Sequence, residues 1–109
     1  MSYNIQATLQ FSRELKKLTK KYISLKEEFL ALLKSLENNP TQGNSLGNDT
    51  YKIRLALHSK SSGKRGGARV ITFVRIVENE IILLGIYDKS KQESITVKEI
   101  NERIKNFLS

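Results

Sequence analysis

The sequence predicts an α+β fold: one antiparallel sheet packed with an N-terminal αα-hairpin and a C-terminal helix, in the order β-α-α-β-β-β-α. Apolar residues recur at helical spacing in two adjacent stretches near the start and in one at the end. Three runs between them have the alternation, or the unbroken apolar content, of strands. Glycine, asparagine and proline mark the joins.

Tyr3, Ile5, Ala7 and Leu9 alternate with polar neighbours and read as a half-buried first strand. Phe11, Leu15, Leu18 and Tyr22 then follow helical spacing, with Ser12 as the cap. Ser24 and Glu27 have the spacing of a capping box for a second helix, whose stripe is Leu25, Phe29, Leu32, Leu33 and Leu36. That helix stops near Asn38-Asn39-Pro40, because proline disfavours helix in the residue before it. Thr41 to Asp49 reads as a polar loop. Tyr51 to Leu57 alternates, with Tyr51, Ile53, Leu55 and Leu57 on one face and Lys52, Arg54, Ala56 and His58 on the other. Ser59 to Gly67 is a basic loop rich in Gly and Ser. Ala68 to Val77 is apolar on both faces, as expected of a central strand. Glu78-Asn79 is read as a tight hairpin turn, followed by a strand from Glu80 to Tyr87. Thr96 with Glu99 caps a last helix whose apolar face is Ile100, Ile104, Phe107 and Leu108. With no internal repeat, residues 1–109 read as a single domain.

Cysteine is absent, so disulfides and thiolate metal sites are excluded. The first ten residues lack the basic start and apolar run of a signal peptide, and no segment has the length of a membrane span. A cytoplasmic protein without membrane contact is expected. The net charge of +8 points to an anionic partner. From Thr50 to Val77 the sequence holds seven basic residues (Lys52, Arg54, Lys60, Lys64, Arg65, Arg69 and Arg75) and no acid. Solvated faces usually mix signs, as both helical segments upstream do. A stretch of one sign repels itself unless a partner compensates it, so a polyanion, above all RNA, is the expected ligand.

Lys52 and Arg54 are two apart on a strand and share a face. Arg69 lies early in the next strand, and Tyr87 and Lys89 share a parity at the end of the last. An antiparallel meander, with strands about 5 Å apart, can gather these groups into one patch. Enzyme signatures of other kinds are missing. One histidine, His58, cannot supply a metal cluster, and Ser61 to Gly67 lacks the spacing of a Walker loop. The basic window holds no carboxylate pair, which argues against Mg²⁺-dependent nuclease chemistry, so neither a metal nor another cofactor is expected. RNA carries its own nucleophile, the 2′-hydroxyl. Arginine forks suit the phosphate oxygens, and a lysine among cations has its charged form disfavoured, as a general base requires. Lys60, Lys64 and Arg65 fit phosphate contacts better than chemistry, and Arg75 fits a strand-end surface charge.

The runs Tyr51-Lys52-Ile53-Arg54-Leu55, Gly63-Lys64-Arg65-Gly66-Gly67-Ala68-Arg69-Val70-Ile71 and Ile86-Tyr87-Asp88-Lys89-Ser90, in this order, resemble the RelE/ParE/HigB superfamily of toxins from bacterial type II toxin–antitoxin modules, the HigB-like members most. The resemblance covers nearly the whole chain and implies a RelE-like fold. It also implies a ribosome-dependent, metal-independent mRNA endoribonuclease, an mRNA interferase, neutralised by a cognate antitoxin. Lys52 and Arg54 match the family's basic pair on the strand after the hairpin, one of them the base. Arg69 matches its phosphate-stabilising arginine, and Lys89 a further catalytic basic position. Tyr87 and Asp88 lie where HigB-like members hold active-site groups. Two departures stand out: Gln92 to Ile95 lacks the tyrosine that stacks on a base in RelE, and the basic loop is longer. Tyr87 is left as the candidate for stacking. A ParE-like gyrase inhibitor and a non-catalytic RNA-binding module are the alternatives, since a fold does not set a function.

Overall fold

The computed structural model describes residues 3–57, 67–91 and 94–109. His58, Lys60, Lys64 and Arg65 of the basic loop lie outside the described residues, as does Gln92. The chain forms β1 (Asn4–Ala7), α1 (Leu9–Lys21), α2 (Leu25–Asn38), β2 (Asn44–Gly47), β3 (Thr50–Leu55), β4 (Ala68–Arg75), β5 (Glu80–Asp88) and α3 (Val97–Leu108). These make an α+β fold around a five-stranded sheet in the order β1-β5-β4-β3-β2.

The sheet is mixed rather than purely antiparallel. β1 runs parallel to β5, with Asn4 opposite Glu80 and Ala7 opposite Leu83, while the other pairs are antiparallel. The chain reaches this edge because Thr8 ends β1 and starts α1 at once. Its backbone is extended, its N–H donates to the Leu83 carbonyl, and its hydroxyl accepts from the Phe11 N–H at 3.1 Å. Thr8, not Ser12, is therefore the cap, and Leu9 belongs to the helix, where it is exposed. Ser24 stands at the start of α2 with helical backbone angles and makes no side-chain cap bond. The Thr96 hydroxyl does cap α3, accepting from the Glu99 N–H at 3.2 Å.

β2 is a strand where a loop was expected. All four of its residues are exposed, so it carries no hydrophobic signal. Gly47 pairs with Thr50, leaving Asn48-Asp49 as a two-residue turn with positive φ at both positions, the primed geometry that suits hairpin twist. The β4–β5 turn is longer than expected. β4 ends at Arg75, and Ile76 to Asn79 form the loop, with Asn79 at φ 55. The Arg75 guanidinium meets the Glu80 carboxylate across it at 2.7 Å and is a strand-end charge held by a partner.

α1 and α2 cover one face of the sheet and α3 the other. Phe11, Leu25, Leu32 and Leu36 pack on Ile53, Leu55, Val70, Val74, Ile81 and Leu83. The rings of Phe11 and Phe29 join the two helices at 5.7 Å. On the far side Ile95 and Ile100 meet Ile71, Ile82, Leu84 and Tyr87. Central β4 thus buries both faces, as its sequence predicts.

β1 stops opposite Leu83, so the outer edge of β5 beyond it has no strand neighbour among the described residues. Two side chains fill the place. Arg103 of α3 donates to the Leu84 carbonyl at 2.8 Å, and Glu14 of α1 accepts from the Ile86 N–H at 3.2 Å. Arg103 and Glu14 close on each other through two bonds of 3.0 Å. The residue between, Gly85, leaves them room: a Cβ there would lie 2.6 Å from the Arg103 guanidinium.

Two stability predictions follow from these contacts. Gly67 has φ +84, and an added Cβ would lie 2.7 Å from the Leu55 carbonyl oxygen. Gly67→Ala is expected to lose roughly 1–3 kcal/mol, read as a lower urea midpoint at unchanged m-value. Arg103→Ala leaves Glu14 and the Leu84 carbonyl without their donor and is expected to lose about 2 kcal/mol. The double variant with Glu14→Ala should lose less than the sum of the two single losses, measured as a double-mutant cycle.

Candidate active site

The register brings the basic residues together. Arg54 stands directly opposite Arg69, and Arg69 directly opposite Tyr87. Neighbouring strands lie about 5 Å apart, and residues opposite each other share a face, so the three form one row across β3, β4 and β5. Lys52 is two residues along from Arg54, on the same face, opposite Ile71. Ile71 and Tyr87 belong to the apolar cluster under α3, so the patch lies on the α3 side of the sheet.

A one-residue irregularity makes this possible. Ile71 pairs with Gly85 and Thr72 with Leu83, so Leu84 is an extra residue on β5. Ile81 and Leu83 face α1 and α2, and strict alternation would carry Tyr87 to that side too. The bulge shifts the parity, and Tyr87 lands beside Arg69.

Burial divides the row. Arg54 is exposed and Lys52 half-buried, while Arg69 is only 7% exposed and donates to the Ala68 carbonyl at 3.2 Å. Arg69 forms the floor of the patch, with Lys52 and Arg54 nearer solvent. Tyr87 is 4% exposed, its ring packed with Ile95 and Ile100. Such a ring offers no open face to a base, so its place is packing beneath the patch rather than stacking. Lys89 follows β5 at the same end of the sheet. Its N–H donates to the Gly67 carbonyl at 3.0 Å, which extends the β4–β5 ladder by one step.

Asp88 does not join the row. It is buried and accepts from the Tyr22 hydroxyl at 2.5 Å. It also accepts from both the N–H and the hydroxyl of Ser90. Asp88 therefore ties α1 to the turn that carries Lys89, as a strut on the other side of the sheet. Sequence reasoning missed Asn44. It pairs with Lys52 from β2, an exposed amide next to the patch, and it went unseen because β2 itself did. Its only sequence signal is the turn dipeptide Asn48-Asp49. Among the described residues no group of three His, Cys, Asp or Glu side chains is placed to hold a metal ion, and no helix is long and apolar enough to cross a membrane.

The chain matches no protein-family model and no curated protein sequence. Its fold does match solved structures. It is similar to the Escherichia coli toxin RelE, solved as a double arginine-to-alanine mutant in the free state, at 19% identity and a TM-score of 0.65 over 97% of this chain and 98% of that one. It is similar to a chain of a RelBE toxin–antitoxin complex from Mycobacterium tuberculosis at 18% identity and a TM-score of 0.55, covering 80% of this chain and 91% of that one. An archaeal RelE–RelB complex from Pyrococcus horikoshii contains a chain similar at 21% identity and a TM-score of 0.54, covering 84% of this chain and all of that one (100%). The fold is that of RelE.

Arg54 facing Arg69 is a like-charge cross-strand pair, which destabilises a sheet by a few tenths of a kcal/mol. Arg54→Gln is expected to gain about 0.5 kcal/mol at low ionic strength, with the gain fading in 1 M salt. Urea melts at both salt concentrations check it; a loss above about 1 kcal/mol would contradict the prediction.

Proposed function

We propose that this chain, built on the RelE fold, is the toxin of a type II toxin–antitoxin pair and cuts mRNA on the ribosome without a metal. The observation that carries the reading is the row of Arg54 and Arg69 with Lys52 alongside on one face of the sheet. A sheet that faces two arginines on each other gives up stability, and an anion between them restores it. The structural neighbours add weight, since one was solved as a toxin–antitoxin complex and another as a RelE–RelB complex.

The chemistry follows from what each group can do. The RNA 2′-oxygen attacks the adjacent phosphorus, the bond to the 5′-oxygen breaks, and the products end in a 2′,3′-cyclic phosphate and a 5′-hydroxyl. Arginine stays protonated in proteins, so Arg54 and Arg69 hold the phosphate oxygens and steady the charge that builds on them. Among these basic groups only the lysines can exchange protons. Lys52 takes the proton of the 2′-hydroxyl, and Lys89 gives one to the leaving 5′-oxygen. Tyr87 and Asp88 position these groups from beneath. The partners are the ribosome with its mRNA and an antitoxin that covers the basic face. Lys60, Lys64 and Arg65 serve this reading as ribosomal RNA contacts.

Translating ribosomes incubated with the protein should yield mRNA fragments with 5′-hydroxyl and 2′,3′-cyclic phosphate ends, where metal-assisted attack by water typically leaves 5′-phosphates. Replacing Lys52, Arg54 and Arg69 together by alanine should abolish both the fragments and growth arrest, while circular dichroism shows the fold intact. Toxicity retained in a folded triple variant would sink the assignment. DNA damage with intact mRNA would move it to a gyrase inhibitor.

A further inference from the structure

Helix α1 does not carry the mixed charge expected of a solvated face. Its basic residues are Arg13, Lys16, Lys17, Lys20 and Lys21, and all five are exposed. Their spacing puts them on one stripe, opposite the side that buries Phe11. Its one acid, Glu14, is turned into the clamp with Arg103. Among the described residues Arg13, Lys16, Lys17 and Lys20 make no ion pair.

This stripe borders a groove of about 370 Å³ along the open edge of β5, lined by Glu14, Lys17, Lys21, Tyr87, Asp88 and Lys91 among others. The two acids there already have partners, Arg103 for Glu14 and Tyr22 with Ser90 for Asp88. Arg103 cancels the charge of Glu14, while Tyr22 and Ser90 leave that of Asp88 in place, so three lysines against one carboxylate make the groove cationic on balance. Tyr87 lines this groove and is also the β5 member of the row that ends at Arg54.

We propose that the outward face of α1, with Lys91, is a second binding surface for the phosphate backbone of RNA, distinct from the sheet patch. Protein interfaces centre on apolar and aromatic anchors and are poor in lysine. This face has the opposite composition: four lysines and an arginine from Arg13 to Lys21, and none of the large exposed apolar residues in that span. A lysine-rich face without anchors is the footprint of backbone contacts to nucleic acid. The choice of RNA over DNA rests on the reading of the sheet patch above.

The test compares the full chain with the variant Arg13→Gln, Lys16→Gln, Lys17→Gln, Lys20→Gln. Lys21 stays, because its ammonium lies over the Tyr22 ring at 5.3 Å. Binding of a labelled single-stranded RNA 20-mer, a duplex DNA 20-mer and polyglutamate is followed across a KCl series. Binding is read without cleavage, so a failed nuclease assignment leaves the result interpretable. At about 0.7 per lost phosphate contact, the slope of log K against log salt on RNA should become shallower by roughly 3, and affinity at 0.1 M KCl should fall at least about tenfold. A folded variant with an unchanged RNA slope overturns the proposal. So does a loss seen only with duplex DNA, or only with polyglutamate, which would make this a face for an acidic protein. Lys16→Gln with Lys20→Gln, with about half the slope change, serves if the quadruple variant fails to fold.

Discussion

The candidate site depends on one extra residue in β5. Leu84 breaks the alternation, so the strand presents one parity to the hairpin helices before it and the opposite parity after it. β1 ends opposite Leu83, and the outward backbone groups of β5 beyond it would otherwise face water or a stray strand. Here Arg103 and Glu14 take them, one from each helical layer. The clamp is thus more than an ion pair between helices. It stands in for the strand that β1 is too short to supply, and it holds the part of β5 on which Tyr87 and Asp88 turn to opposite faces.

Around that constraint the molecule separates rigid support from reactive charge. β4 is apolar on both sides and anchors Arg69 deep in the sheet, where few rotamers are open to a guanidinium. Lys52 and Arg54 come from β3, which has the short exposed β2 as its outer neighbour. Charge concentrates on the strand positions that packing leaves to solvent. The Tyr22–Asp88–Ser90 bonds hold the turn behind Lys89 from the far side.

Much of this was legible in the sequence, wherever burial writes a pattern. The alternation in Tyr51 to Leu57 placed Lys52 and Arg54 on one face, and the solid apolar run of β4 made it central. The illegible parts are those that burial does not write. β2 is exposed at every position, so only its turn betrays it. The parallel seat of β1 is set by contacts with residues far along the chain. Parity groups Tyr87 with Lys89, yet counting from Ile81 puts Tyr87 on the face opposite to Arg69, because a bulge is invisible to a period of two. The charge of α1 looked mixed because Glu14 was counted as a surface acid. Its partner, Arg103, lies nearly the whole chain away.

The position of β1 also orders events in time. It precedes the other strands in the chain, yet among the described residues its strand partner is β5, so Asn4 waits for Glu80. Pairing across that separation closes a long loop and is slow compared with the local β4–β5 hairpin. On a ribosome the first strand therefore emerges long before it has anywhere to dock. The sheet is completed only once β5 has been synthesised, so for an interval β1 exists without the strand that seats it.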